Sequence, residues 1–155
     1  MTTLSLHSFM RLSPAESIIA ARQIGAPRKT TDKLQRVLNL AARIVSNTRK
    51  FDRGLTHFRR SQLHCLDVVD RVRFRVCVQV FRCLHKMAPE YLSTYCQPVS
   101  IRHLDFPRVK LASYGRSFAY AVPSNWNSLP AYLRDSSLSL SSFKHHLKTF
   151  LFSFY

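Results

Sequence analysis

The chain is poor in glycine, with 3 among 155 residues, and poor in acid, with 8 Asp+Glu. So little glycine excludes a phosphate-cradling loop, whose close backbone approach to a ligand depends on it. No two acidic residues are adjacent. Two-metal chemistry needs carboxylates gathered on the ions, and a hydrolytic nuclease needs a carboxylate and histidine cluster. Neither set can be assembled, and no serine stands at a recognisable nucleophile-base spacing from a histidine. The 4 cysteines, Cys65, Cys77, Cys83 and Cys96, lack the close pairs of a zinc site. His64 with Cys65 and Cys83 with His85 are adjacent or alternate residues, which seldom converge on one ion. Long apolar runs are missing too: none approaches the ~20 residues of a membrane span. The N-terminus has no basic start leading into a continuous apolar segment, so a secretory signal is not expected. These absences predict a non-catalytic protein without metal, cofactor, small-molecule substrate or membrane partner. Its thiols are expected to be reduced, in an intracellular setting, nuclear or cytoplasmic.

What is abundant is positive charge. Lys+Arg number 24, the formal net charge is +16, and 17 of the cations are arginine. The planar guanidinium fork matches phosphate oxygens better than the point charge of lysine does. An excess of this size points to RNA or DNA as partner. The apolar fraction of 46% is ordinary for a globular domain.

Read in order, residues 1–12 are weakly patterned. Ser13, Pro14 and Glu16 form a capping box that starts a short helix with Ala15, Ile18 and Ile19 on its apolar face. Gly25 and Pro27 stop it. Thr31 is the expected cap of a second helix, Asp32 to about Asn47. There Leu34, Val37, Leu38, Ala41, Ile44 and Val45 make a stripe, read as the core side, and Lys33, Arg36 and Arg43 lie off it. Arg49 to Arg60 is the densest cationic stretch and has Phe51 and Phe58 interleaved. Cations for the backbone and rings for base stacking are what single-stranded nucleic acid requires. The plainer reading is a solvated loop over two core phenylalanines.

From Arg71 to Val80 the residues alternate as in a half-buried strand. The alternation fails at Phe81 and Arg82, and a run of about 20 residues is too long for a strand. The spacing therefore predicts a helix with Val69, Val72, Val76, Val80, Cys83 and Met87 on one face. Arg71, Arg75, Gln79, Arg82 and Lys86 share another, and Arg73 must snorkel or find a carboxylate. Asp67 and Asp70 are read as helix-start charges and partners for Arg71 or Arg73. Glu90 opens a short helix through Tyr95. Residues 97–123 read as irregular, with a short extended piece around Arg108 to Tyr114. Trp126 is an expected core anchor, Pro130 begins a short helix ending near Asp135, and the serines from Ser136 to Ser142 offer caps for a last helix. Its stripe is Leu140, Phe143, Leu147, Phe150, Leu151 and Phe154.

Several ordered blocks then point to a family. Asp32-Lys33-Leu34-Gln35-Arg36-Val37-Leu38-Asn39 with Ala41-Ala42-Arg43 resembles the segment just beyond the polymerase core in non-LTR (LINE-type) retrotransposon reverse transcriptases. Thr48-Arg49-Lys50-Phe51-Asp52, Leu63-His64-Cys65-Leu66, Arg82-Cys83-Leu84-His85, Ala88-Pro89-Glu90-Tyr91-Leu92, Tyr114-Gly115-Arg116, Trp126-Asn127-Ser128-Leu129-Pro130 and Phe143 through Phe152 follow in the same order. The resemblance covers about residues 25–155. Cys65 stands where the family usually has tryptophan, and the chain is shorter than its relatives between Val99 and Pro107. The family's paired catalytic aspartates have no counterpart.

The expectation is a mainly α fold of about five helices. Residues 1–26 form an extension with a short helix, and residues 27–155 form one helical domain with an irregular segment at 97–123. The resemblance implies a non-catalytic region that helps hold RNA or DNA. Its candidate contacts are Arg49, Lys50, Arg53, Arg59, Arg60, Arg71, Arg75, Arg82 and Lys86. Two other readings stay open: a structural remnant of a decayed element without activity of its own, and a helical adaptor binding protein through exposed apolar helix faces.

Overall fold

The computed structural model describes residues 28–94, 96–100, 103–106 and 118–155, and these are mainly helical. The helix expected from Ser13 and the extended piece at Arg108 to Tyr114 lie outside them.

The centre is helix α3, Val68–Leu84; before it come α1, Arg28–Ser46, and α2, Leu55–Ser61. The helix expected from the length of the run forms, and its second half is enclosed all round. Val76, Cys77, Val78, Gln79, Val80 and Phe81 are consecutive buried residues. Neither a two-residue nor a helical period survives such enclosure. A Schellman motif ends the helix: Lys86 takes φ 57°, its N–H reaches the Cys83 carbonyl at 3.2 Å, and Met87 N–H reaches that of Arg82 at 2.7 Å.

After α3 come α4, Glu90–Ser93, and an antiparallel pair of short strands, β1, Pro98–Ser100, and β2, His103–Leu104. Helix α5, Phe118–Asn127, then runs through Pro123, which overturns the reading of an irregular chain up to that proline. The Pro123 ring is fully buried, so core contact offsets the hydrogen bond its missing N–H cannot make. Asn127 ties α5 to the strands, accepting from Leu104 N–H and donating to Leu104 C=O, both at 3.0 Å. Its side-chain amide thereby acts as one more strand residue. Pro130 caps the short helix expected before Asp135, which is a 3₁₀ turn, Ala131–Arg134.

Helix α6, Leu140–Phe152, is capped by Ser139, whose side chain accepts from Ser142 N–H at 3.2 Å. Phe143, Leu147 and Leu151 are buried on α3, as their spacing predicts, while Phe154 is exposed. Trp126 is the buried anchor expected, 5.9 Å from Phe143 between ring centres.

Helix α1 departs from expectation. It starts four residues earlier than read, so Thr31 is no cap; its hydroxyl donates to the Arg28 carbonyl inside the first turn. The face it docks carries Gln35, Asn39, Ala42 and Ser46. Gln35 Oε1 accepts the Val68 N–H at 2.9 Å and Gln35 Nε2 donates to Asn39 Oδ1 at 3.1 Å. The side chain thus supplies the cap that α3 does not obtain from Asp67. Most of the stripe read as core turns outward, with Val37 63% and Ile44 81% exposed, while Leu38 stays half-buried.

Candidate nucleic-acid interface

The cationic loop is fixed by its backbone and free at its side chains. A second Schellman motif closes α1, with Asn47 at φ 51° and Thr48 N–H on the Arg43 carbonyl at 3.1 Å. Arg43 donates through a terminal guanidinium nitrogen to the Arg49 carbonyl at 2.6 Å, and Asp52 Oδ2 accepts the Arg49 N–H at 2.7 Å. Gly54, at φ 90°, then turns the chain into α2 through a conformation that side chains resist. Arg49, Lys50, Phe51 and Arg53 all project into solvent, with Lys50 Nζ 5.5 Å from the centre of the Phe51 ring. Among the described residues, Arg49, Lys50 and Arg53 make no ion pair.

Arg59 is drawn inward instead, and the half-buried Arg60 is held by an internal carboxylate. Arg59 is 3% exposed and pairs with Asp67; Arg60 donates to Asp67 Oδ2 at 2.8 Å. Asp67 therefore joins α2 to the start of α3, and its partners are not Arg71 or Arg73. Partial burial acts to raise the Asp67 carboxyl, but hydrogen bonds and charge from Arg60 and Arg59 outweigh it and hold the pKa below the ordinary carboxylate value. The Arg60 guanidinium also lies 3.6 Å over the Tyr155 ring, whose hydroxyl donates to Asp70. Sequence reading missed this cluster because its members lie up to 96 positions apart, from Arg59 to Tyr155.

The other candidates line one side of α3. Arg71, Arg75 and Arg82 are half-buried and Lys86, past the helix end, is exposed. Arg71 and Arg82 are about 17 Å apart along the axis at the helical rise per residue. Arg71 Nε donates to the Leu66 carbonyl at 3.1 Å, and Gln79, at 8% exposure, interrupts the row. Arg73 finds a hydroxyl, not a carboxylate: it donates to Ser128 Oγ at 2.8 Å and lies 5.9 Å over the Phe154 ring.

A cleft of about 270 Å³ opens among α3, the strand pair and the 3₁₀ turn, lined by His85, His103, Trp126 and Arg134 among others. Arg134 donates to His103 Nε2 at 2.9 Å, and His85 stacks on Phe81 at 4.0 Å. No group of three or more His, Cys, Asp or Glu able to hold a metal forms among the described residues. No helix among them is long and apolar enough to cross a membrane.

All four cysteines are free thiols: Cys65 is half-buried, and the other three are buried. Burial pushes the Cys77 thiol up to about 12, against weaker lowering by the Arg73 charge. With a colorimetric disulfide reagent at neutral pH, Cys65 is expected to react first. Cys77 should react only as the protein unfolds, and a native Cys77→Ala variant should show the same early thiol count as the parent.

No protein-family model, curated protein or solved structure matches the chain.

Proposed function

We propose that the chain is a non-catalytic unit that binds RNA or DNA with little sequence preference, comparable to the post-polymerase region of a non-LTR reverse transcriptase. The observation carrying this reading is the loop from Arg49 to Arg53. Its backbone is tied down by Arg43 and Asp52, while three cations and a phenyl ring are left facing solvent. A rigid cationic loop offers phosphate contacts with little ordering cost, and Phe51 offers a face for a base. Arg71, Arg75, Arg82 and Lys86 add a second set of cations on α3. Arg59 and Arg60 serve the fold in this reading.

The test is a titration with labelled single-stranded RNA and duplex DNA at several salt concentrations. With about five phosphates of duplex DNA engaged, log affinity falls with log salt at a slope near −4 to −5. Replacing Arg49, Lys50 and Arg53 together by glutamine should flatten that slope by about 2.7, one increment per lost contact. These side chains are exposed, so the variant keeps its fold. Affinity indifferent to salt would sink the proposal. The remnant reading makes a different forecast, since a body lacking an essential neighbour would melt without a cooperative transition.

A further inference from the structure

The loudest feature left unused by that reading is the outward side of α1. Leu34, Val37, Ala41 and Ile44 fall at the alternating three- and four-residue steps of a coiled-coil seam. Val45 widens it on one side. Val37, Ile44 and Val45 are each more than half exposed, yet the helix is firmly seated through Gln35 and Ala42 on its opposite side. An apolar face of this size on a docked helix is unusual unless something covers it. Ala41, between Val37 and Ile44, leaves a waist into which a neighbouring helix can place a larger side chain.

The border of the seam says what kind of helix. Lys29, Lys33 and Arg36 follow one another along its open edge, all exposed. On the other side the helix is occupied by α2 and α3. We infer that this face docks an acidic amphipathic helix of a partner polypeptide, whose apolar ridge fills the seam and whose carboxylates meet Lys29, Lys33 and Arg36. A second copy of this chain is a poor occupant, because it brings the same cationic border and a net charge of +16. Phosphates have no use for valine and isoleucine. A bilayer accepts apolar side chains in any register and gives no reason for seam spacing with alanine at the middle.

The experiment uses the full chain and a labelled helical peptide with Leu and Ile at its a and d positions and Glu at e and g, followed by fluorescence anisotropy. The peptide should bind saturably, and its Lys-for-Glu counterpart should bind at least about tenfold more weakly. Val37→Gln/Ile44→Gln should weaken binding by about tenfold or more, since two apolar side chains lose their burial. Lys33→Glu/Arg36→Glu should reverse the preference between the two peptides. Equal binding of both peptides, or indifference to the Val37/Ile44 pair, overturns the inference. So does capture by phosphatidylserine vesicles without capture of the acidic peptide, or a concentration-dependent dimer abolished by Val37→Gln/Ile44→Gln. The same glutamine pair leaves RNA affinity unchanged, so loss of either activity alone identifies which reading has failed.

Discussion

Asp67→Asn is expected to lower the stability of the native chain by about 3 kcal/mol at neutral pH, measured by urea unfolding. Asparagine keeps the shape and removes the charge that holds Arg59, a side chain 3% exposed. Arg59 Nε and its other terminal nitrogen are buried without hydrogen-bond partners among the described residues, and among these Asp67 is the group that compensates that cation. A buried guanidinium stripped of its counter-ion costs more than the intact pair contributes. Arg59→Met should be milder, because Asp67 still has Arg60 and water beside it. Combining Arg59→Met with Asp67→Leu should cost less than Asp67→Asn alone, since no uncompensated charge is then enclosed. The pH dependence follows from the same pair. The Asp67 pKa in the native state lies below its ordinary value of 3.8, so the unfolded chain takes up the proton first. The stabilisation is whole above that value and is lost as pH falls through the lower native pKa. Asp67→Asn should therefore flatten the acid limb of stability against pH below about 4. A loss under about 0.5 kcal/mol would show that the pair carries no such weight.

How much of this was legible beforehand depends on whether one side chain or a whole period decides the outcome. The last helix was readable because Phe143, Leu147 and Leu151 obey a helical period and the same period governs their burial. The helical state of α3 was readable from length, but not its central place. The enclosure of Gln79 and Phe81 comes from α4, α5 and α6 packing around it, which no local pattern encodes. Helix α1 shows the reverse case. Most of its apolar stripe faces away from the body, while Gln35 caps α3 and Ala42 is buried on the docked side, contacts that no local period encodes. Among the candidate cations, Arg49, Lys50 and Arg53 stand where a reading by charge density puts them. Arg59 and Arg60 do not, because a turn through His64, at φ 46°, brings Asp67 back onto α2. Charge density alone cannot separate cations facing solvent from cations facing an internal carboxylate.

Phe143→Ala is expected to cost about 4 kcal/mol, through lost burial and the cavity left behind. Phe143 is fully buried, and its ring stacks on Phe81 at 4.4 Å between centres, with Trp126 tilted against it at 5.9 Å. Phe81 in turn carries His85 at 4.0 Å, so one column of rings joins α3, α5 and α6. Such pairs add ~0.5–1.5 kcal/mol beyond burial alone. Phe143→Leu restores much of the volume but not the stacking, and should cost only about 1–2 kcal/mol. The response should also be uneven in space. Val68, where Gln35 of α1 docks, and Phe81 are about 20 Å apart along α3 at the helical rise. Amide exchange in Phe143→Ala should accelerate most in α6 and the end of α5, and least at the junction of α1 with α3. Uniform acceleration would mean that the body opens only as a whole and that the ring column is no local clasp. A loss below about 1.5 kcal/mol would mean that Leu147 and Leu151 hold α6 without it.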